Sequence, residues 1–95
     1  MPALIVFHND TGQDASIACL FIEPGQTDQT RYVVLHDGGT DNEAAASTMC
    51  IRWSNSGNPT VPADENDTPV SVQHWGRGSG KNLDFYLGQH PEGRV

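Results

Sequence analysis

Basic residues are scarce in this chain. Five Lys and Arg stand against twelve Asp and Glu, which gives a formal net charge of −7 at pH 7. Charge of this sign repels both the phosphate backbone of nucleic acids and an anionic membrane surface. We therefore expect no nucleic-acid binding and no membrane insertion. A basic protein, in contrast, would be attracted.

Long hydrophobic stretches are missing as well. The apolar run near the N-terminus, residues 3–7, is short and has no basic residues before it, unlike a secretory signal. Nothing approaches the ~18 consecutive apolar residues of a membrane-spanning helix. The sequence predicts a protein made in the cytoplasm without an export signal, and non-classical release stays open.

Cysteine is limited to Cys19 and Cys50, which is too few for a disulfide framework. One bridge between them would close a loop of about thirty residues and contribute roughly 3–4 kcal/mol in the chain-entropy model. The alternative is two buried thiols that pack as small hydrophobic groups. The apolar neighbours of both residues favour the thiols, and the bridge remains the second option.

What the sequence does contain is typical of a single all-β domain over residues 1–95. It is 36% apolar and 18% charged with ten Gly and six Pro, a composition that fits neither a disordered chain nor a helical bundle. Strand-like runs separated by turn residues predict six strands, at residues 3–8, 15–23, 31–37, 47–53, 69–75 and 82–87. Only residues 43–46 look like the start of a helix. The expected architecture is a small six-stranded sandwich or barrel.

Two patterns assign faces to these strands. Apolar and polar residues alternate through residues 49–53 and 83–87, so Met49, Ile51 and Trp53, like Leu83 and Phe85, should face the core. Residues 4–7 and 17–22 lack polar alternation. These two runs are therefore predicted to be central strands.

A weak internal repeat suggests a higher order. Residues 5–20, 33–51 and 70–87 each read as a strand ending in His, a loop with Gly and Asp or Asn, and a return strand. Three hairpins of this kind would form a pseudo-threefold body. Chance likeness between hairpins built from few residue types is the alternative.

Catalytic and metal chemistry find little support. His8, His36 and His74 end strands and would suit zinc if they converged, but an imidazole that bridges the core edge to a loop is favoured. Residues 37–43 come closest to a calcium loop without fitting one. Residues 76–82 fail the phosphate-loop spacing, and no nucleophile elbow is present. We predict no enzyme activity, no cofactor and no metal.

Carbohydrate binding is the leading prediction. Sugar recognition needs Asp, Asn and backbone N–H groups for the hydroxyls and an aromatic face for the ring. The loops that follow predicted strands supply such groups, and shallow repeated sites would suit multivalent capture in a homo-oligomer. An acidic inhibitor or immunity-type protein that binds a basic partner is the alternative. The predicted ligand-binding residues are Asn9, Asp10, Asp37, Gly38, Trp53, Asn55, Trp75 and Arg77.

Overall fold

The computed structural model describes residues 3–58, 61, 63–71 and 82–95, and within them the chain is all-β. Two single 3₁₀ turns, Leu87–Gln89 and Pro91–Gly93, follow the last strand. No helix in these ranges is long and apolar enough to cross a membrane. The seven strands are β1 (Leu4–His8), β2 (Ala15–Ile22), β3 (Gln29–Leu35), β4 (Thr40–Ala44), β5 (Thr48–Ser54), β6 (Thr68–Ser71) and β7 (Leu83–Tyr86).

The strands form two sheets. One has three strands in the order β4-β1-β7, and the other has four in the order β3-β2-β5-β6. Strand β1 pairs antiparallel with β4 and parallel with β7, whereas all pairs of the larger sheet are antiparallel. The two runs without polar alternation, β1 and β2, are thus central strands, as predicted.

The core lies between the two sheets. In the smaller sheet Phe7 is paired with Phe85, and their rings meet edge to face with centroids 6.0 Å apart. In the larger sheet Ile17 is paired with Trp53. The predicted inward faces of β5 and β7 are confirmed, since their members are buried. The core cluster includes Ile5, Phe7, Ile17, Cys19, Met49, Ile51, Trp53, Val70, Leu83, Phe85 and Leu87.

Strand β4 corrects two predictions. Its residues, Thr40–Ala44, were expected to form a turn and the start of a helix at 43–46, within a six-stranded body. They form instead a strand paired with β1, from Leu4 opposite Ala44 to His8 opposite Thr40. The polar sequence TDNEA hides this strand because an edge strand needs main-chain pairing more than apolar side chains.

The predicted hairpins are also wrong. Strands β1 and β2 lie in different sheets, as do β6 and β7, and β3 and β5 flank β2 rather than pairing with each other. The first two predicted loops therefore connect strands of different sheets instead of closing a two-stranded ribbon. Without these hairpins the pseudo-threefold arrangement is not confirmed.

Both cysteines are free thiols and buried. Cys19 lies opposite Ile51 and faces the core, whereas Cys50 lies opposite Leu20 and faces the other side of the sheet. Residues 63–67 lie near the Cys50 side, where the Cys50 thiol donates to the Glu65 carbonyl at 3.5 Å. The prediction of two buried thiols is confirmed, and their opposite faces explain the absence of a bridge.

Candidate functional site

Two loops meet at one end of the sandwich, where β1 and β3 end and β2 and β4 begin. We call this region, residues 9–14 and 36–39, the loop end. The loops are tied by main-chain bonds: the Asn9 N–H donates to the Gly39 carbonyl at 2.9 Å, and the Gly38 N–H donates to the Asn9 carbonyl at 2.8 Å. Gly38 has φ +77°, a conformation that disfavours other residues. The main-chain bonds therefore hold the loop end in one conformation, and Gly38 adopts the positive φ that this conformation requires.

Asn9 holds this structure from inside. Its side chain is 1% exposed, and its amide nitrogen donates to the carbonyls of Gln13, Leu35 and His36 at 2.7, 3.0 and 3.1 Å. Its oxygen accepts from the Thr11 N–H and hydroxyl at 3.2 and 2.7 Å. Asn9 was predicted to bind a ligand, and this is wrong: both of its polar atoms are used within the fold.

The carboxylates of the loop end bind backbone N–H groups. Asp10 accepts from the Gly88 N–H at 2.6 Å, Asp37 from the Gly12 N–H at 3.1 Å, and Asp14 from the Asp37 N–H at 3.3 Å. Each of these bonds uses the Oδ1 atom. The Oδ2 atoms of the three aspartates accept no hydrogen bond from any residue that the structure describes. All three residues are exposed, so the cluster lies at the surface.

Two polar side chains extend this cluster. Nδ1 of His36 lies 3.6 Å from the Asp14 carboxylate, with the imidazole 92% exposed. The amide nitrogen of Asn55 donates to the Thr11 hydroxyl at 2.9 Å, which places this predicted site residue beside the loop end. The structure thus places Asp10, Asp37, Gly38 and Asn55 in or beside the loop end, and their role in ligand binding stays a prediction.

Trp53 does not belong to the site. Its side chain lies in the core at 3% exposure, and its indole N–H donates to the His90 carbonyl at 3.0 Å. The prediction of a tryptophan at the rim for stacking on a sugar is wrong for this residue, because its position on β5 points it inward. The other predicted aromatic and basic contacts, Trp75 and Arg77, and the third strand-end histidine, His74, lie outside the described residues.

The strand-end histidines have separate partners. Nε2 of His8 lies 3.0 Å from the Asp84 carboxylate, and its ring stacks on Tyr86 with centroids 4.1 Å apart. His36 is instead beside Asp14. Throughout the described ranges, no three His, Cys, Asp or Glu side chains are grouped to hold a metal ion. Asp41 of the suggested calcium loop lies on β4 opposite Phe7, not in a loop.

Sequence reasoning missed a groove at the opposite end of the sandwich. It has a volume of about 510 Å³ and lies between β3 and β4, with Phe21, Arg31 and Glu43 among its lining residues. Glu23 also lines it and accepts from the Ser47 N–H at 3.0 Å and from the Ser47 hydroxyl. These residues are far apart in sequence and match no motif, so no local signal could have revealed the groove.

Comparison with known proteins adds no relative: no family model, curated protein or solved structure matches this chain.

Proposed function

We propose that this chain is a non-catalytic binding module that recognises a basic protein partner through the loop end. The observation that carries the proposal is the bonding of the Asp10, Asp14 and Asp37 carboxylates. Backbone N–H groups fix their positions, and their Oδ2 atoms are left for a ligand. A basic side chain of a partner would form charge-assisted hydrogen bonds with these carboxylates.

The charge balance of the described surface supports the same reading. All twelve acidic residues fall within the described ranges, and none of them is fully buried. Of the three arginines there, Arg31 is exposed on β3, Arg52 is paired with Asp67 at 3.0 Å, and Arg94 lies over the Trp53 ring at 5.6 Å. The exposed acidic residues are Asp10, Asp14, Asp28, Asp37, Asp64, Glu65, Asp84 and Glu92. A field of one sign raises the association rate of an oppositely charged partner.

The rigidity of the loop end supports specific rather than diffuse attraction. The Asn9 side chain donates to the Gln13 carbonyl in its own loop and to the Leu35 and His36 carbonyls at the other loop. The two loops are thus held together, and the carboxylates need little ordering when a partner binds. A fixed arrangement lowers the entropic cost of association. An acidic tail of the same charge would lack this advantage.

Matched charge variants test the proposal. Asp10→Asn with Asp37→Asn removes two charges at the loop end and keeps an oxygen that can accept from Gly88 and Gly12. Asp64→Asn with Glu65→Gln removes two charges elsewhere on the surface. Association with a panel of immobilised basic proteins is measured by surface plasmon resonance at about 10 mM and about 150 mM salt, where charges are screened over about 30 Å and 8 Å.

We expect the loop-end pair of substitutions to slow association with a recognised partner by at least about tenfold at low salt, and the control pair to change it by roughly twofold. Equal effects of both pairs would show attraction by net charge alone. That result, or no binding to any basic protein, would overturn the proposal.

Carbohydrate binding is the second candidate, and the same open Oδ2 atoms favour it because carboxylates also accept from sugar hydroxyls. With Trp53 in the core, Trp75 is the remaining tryptophan for such a site. A glycan array with the wild-type chain and with Trp75→Ala tests this. If the wild-type chain binds a sugar and Trp75→Ala does not, the proposed ligand becomes a glycan and no longer a basic protein.

A further inference from the structure

Strand β3 forms one edge of the four-stranded sheet. Among the described residues its strand partner is β2, and the order β3-β2-β5-β6 leaves its other side unpaired. It spans seven residues, Gln29–Leu35. An edge strand of this length presents a row of main-chain N–H and C=O groups to which another strand can add.

The outer face of β3 is unusually apolar. The exposed large hydrophobic residues of the described chain are Tyr32 at 53%, Val34 at 44% and Val95 at 60%. Two of these three belong to β3, and they share one face because side chains two residues apart point to the same side of a strand. Exposed apolar groups along an unpaired edge indicate an interface.

The charge of β3 indicates which molecule pairs with its free edge. Residues 29–36 contain no acidic residue and include Arg31, although the whole chain carries a net charge of −7. Two acidic copies of this chain repel each other least where neither presents a carboxylate. A basic partner would find no acidic side chain on this strand, so the edge suits a second copy better than it suits the partner of the loop end.

We propose that two copies of this chain associate through antiparallel pairing of their β3 strands, with Tyr32 on the two-fold axis. Tyr32 is the midpoint of Gln29–Leu35, so this register pairs all seven residues. Val34 then lies opposite Thr30 of the second copy. The two four-stranded sheets become one continuous sheet.

Charge substitution at the axis tests the register. In this arrangement Tyr32→Glu places two carboxylates opposite each other, and Tyr32→Lys places two ammonium groups opposite each other. Like charges in directly opposed positions destabilise a strand pair. We expect each variant to weaken the dimer by roughly tenfold or more, measured by sedimentation equilibrium from about 10 µM to about 1 mM.

An equimolar mixture of the two variants is the decisive sample. Because position 32 of one copy lies opposite position 32 of the other, Glu and Lys would face each other in a mixed dimer. Association should then return to at least the wild-type level. Val95→Glu is the control, since it adds a charge at an exposed apolar residue away from β3 and should leave the dimer intact. Circular dichroism confirms that each variant is folded.

A wild-type chain that stays monomeric up to about 1 mM would overturn the proposal, as would a dimer that Tyr32→Glu leaves unchanged. Two monomeric variants that fail to associate when mixed would also overturn it, because Tyr32 would then not lie on the axis. The variants leave every residue of the loop end unaltered, so a failure of the dimer and a failure of the proposed partner binding can be told apart.

Discussion

Removal of the Asn9 side chain should reveal how much the loop end contributes to stability. Asn9→Ala eliminates the donor to three carbonyl groups and the acceptor for two groups of Thr11. The bond to the Leu35 carbonyl is fully buried, so water cannot easily replace it. A buried acceptor left without a partner costs about 1–3 kcal/mol.

With further losses at the partly buried carbonyls of Gln13 and His36, we expect Asn9→Ala to lower the free energy of unfolding by about 2–4 kcal/mol. Domains of this size are stable by roughly 5–10 kcal/mol. The change is therefore a large fraction of the total. Asn9→Asp should destabilise the fold at least as much at pH 7, because it would put a carboxylate against carbonyl oxygens.

Urea unfolding followed by circular dichroism measures this effect. With a slope near 1–1.5 kcal/mol per molar urea, the midpoint should fall by about 2 M. Asn66→Ala is the control: Asn66 is exposed and bonds only to nearby Asp64, so its loss should cost less than about 0.5 kcal/mol. If Asn9→Ala unfolds within about 0.5 kcal/mol of the wild type, Asn9 does not hold the two loops together.

Two further predictions concern backbone conformation and thiol access. Gly38→Ala should lower the free energy of unfolding in urea by about 1 kcal/mol, whereas Gly57→Ala should leave it almost unchanged. An added Cβ meets no atom within 4 Å at either site, and of the two only Gly38 has a positive φ. Equal effects of the two substitutions would contradict the argument from φ. Burial raises the pKa of the Cys19 and Cys50 thiols, and neighbouring carboxylates such as Asp67 raise that of Cys50 further, so alkylation of the native chain at pH 8 should be slow. Mass spectrometry of the alkylated peptides should find Cys50 modified before Cys19, because opening of residues 63–67 exposes Cys50. Modification of Cys19 first would refute this order.

The sequence predicted the strands whose side chains carry the core. Met49, Ile51 and Trp53 alternate with polar neighbours, so both the strand and its buried face followed from a local pattern. Strand β4 was missed because its residues are polar and its existence depends on β1, which lies more than thirty residues earlier in the chain. Pairing between distant segments leaves no trace in either segment alone.

The candidate site was predicted only in part for the same reason. The loops were found from their Gly, Asp and Asn residues, and Asp37 and Asn55 each bond to a residue of the loop that contains Asp10. Those residue types also stabilise turns, however, and sequence cannot separate an Asn that faces solvent from one such as Asn9 that bonds carbonyls inside. The groove beside Arg31 and the apolar edge at Tyr32 both depend on which strands lie at sheet edges, which the predicted hairpins had wrong.

The parallel pairing of β1 with β7 bears on the order of folding. Ile5 is opposite Leu83, so the smaller sheet is complete only when two segments far apart in sequence have met. The antiparallel ladder from β2 to β6 uses contacts that are nearer in sequence, and closing shorter loops costs less entropy. During synthesis we expect the larger sheet to assemble first, while β1 lacks one neighbour and is accessible to chaperones until β7 emerges from the ribosome.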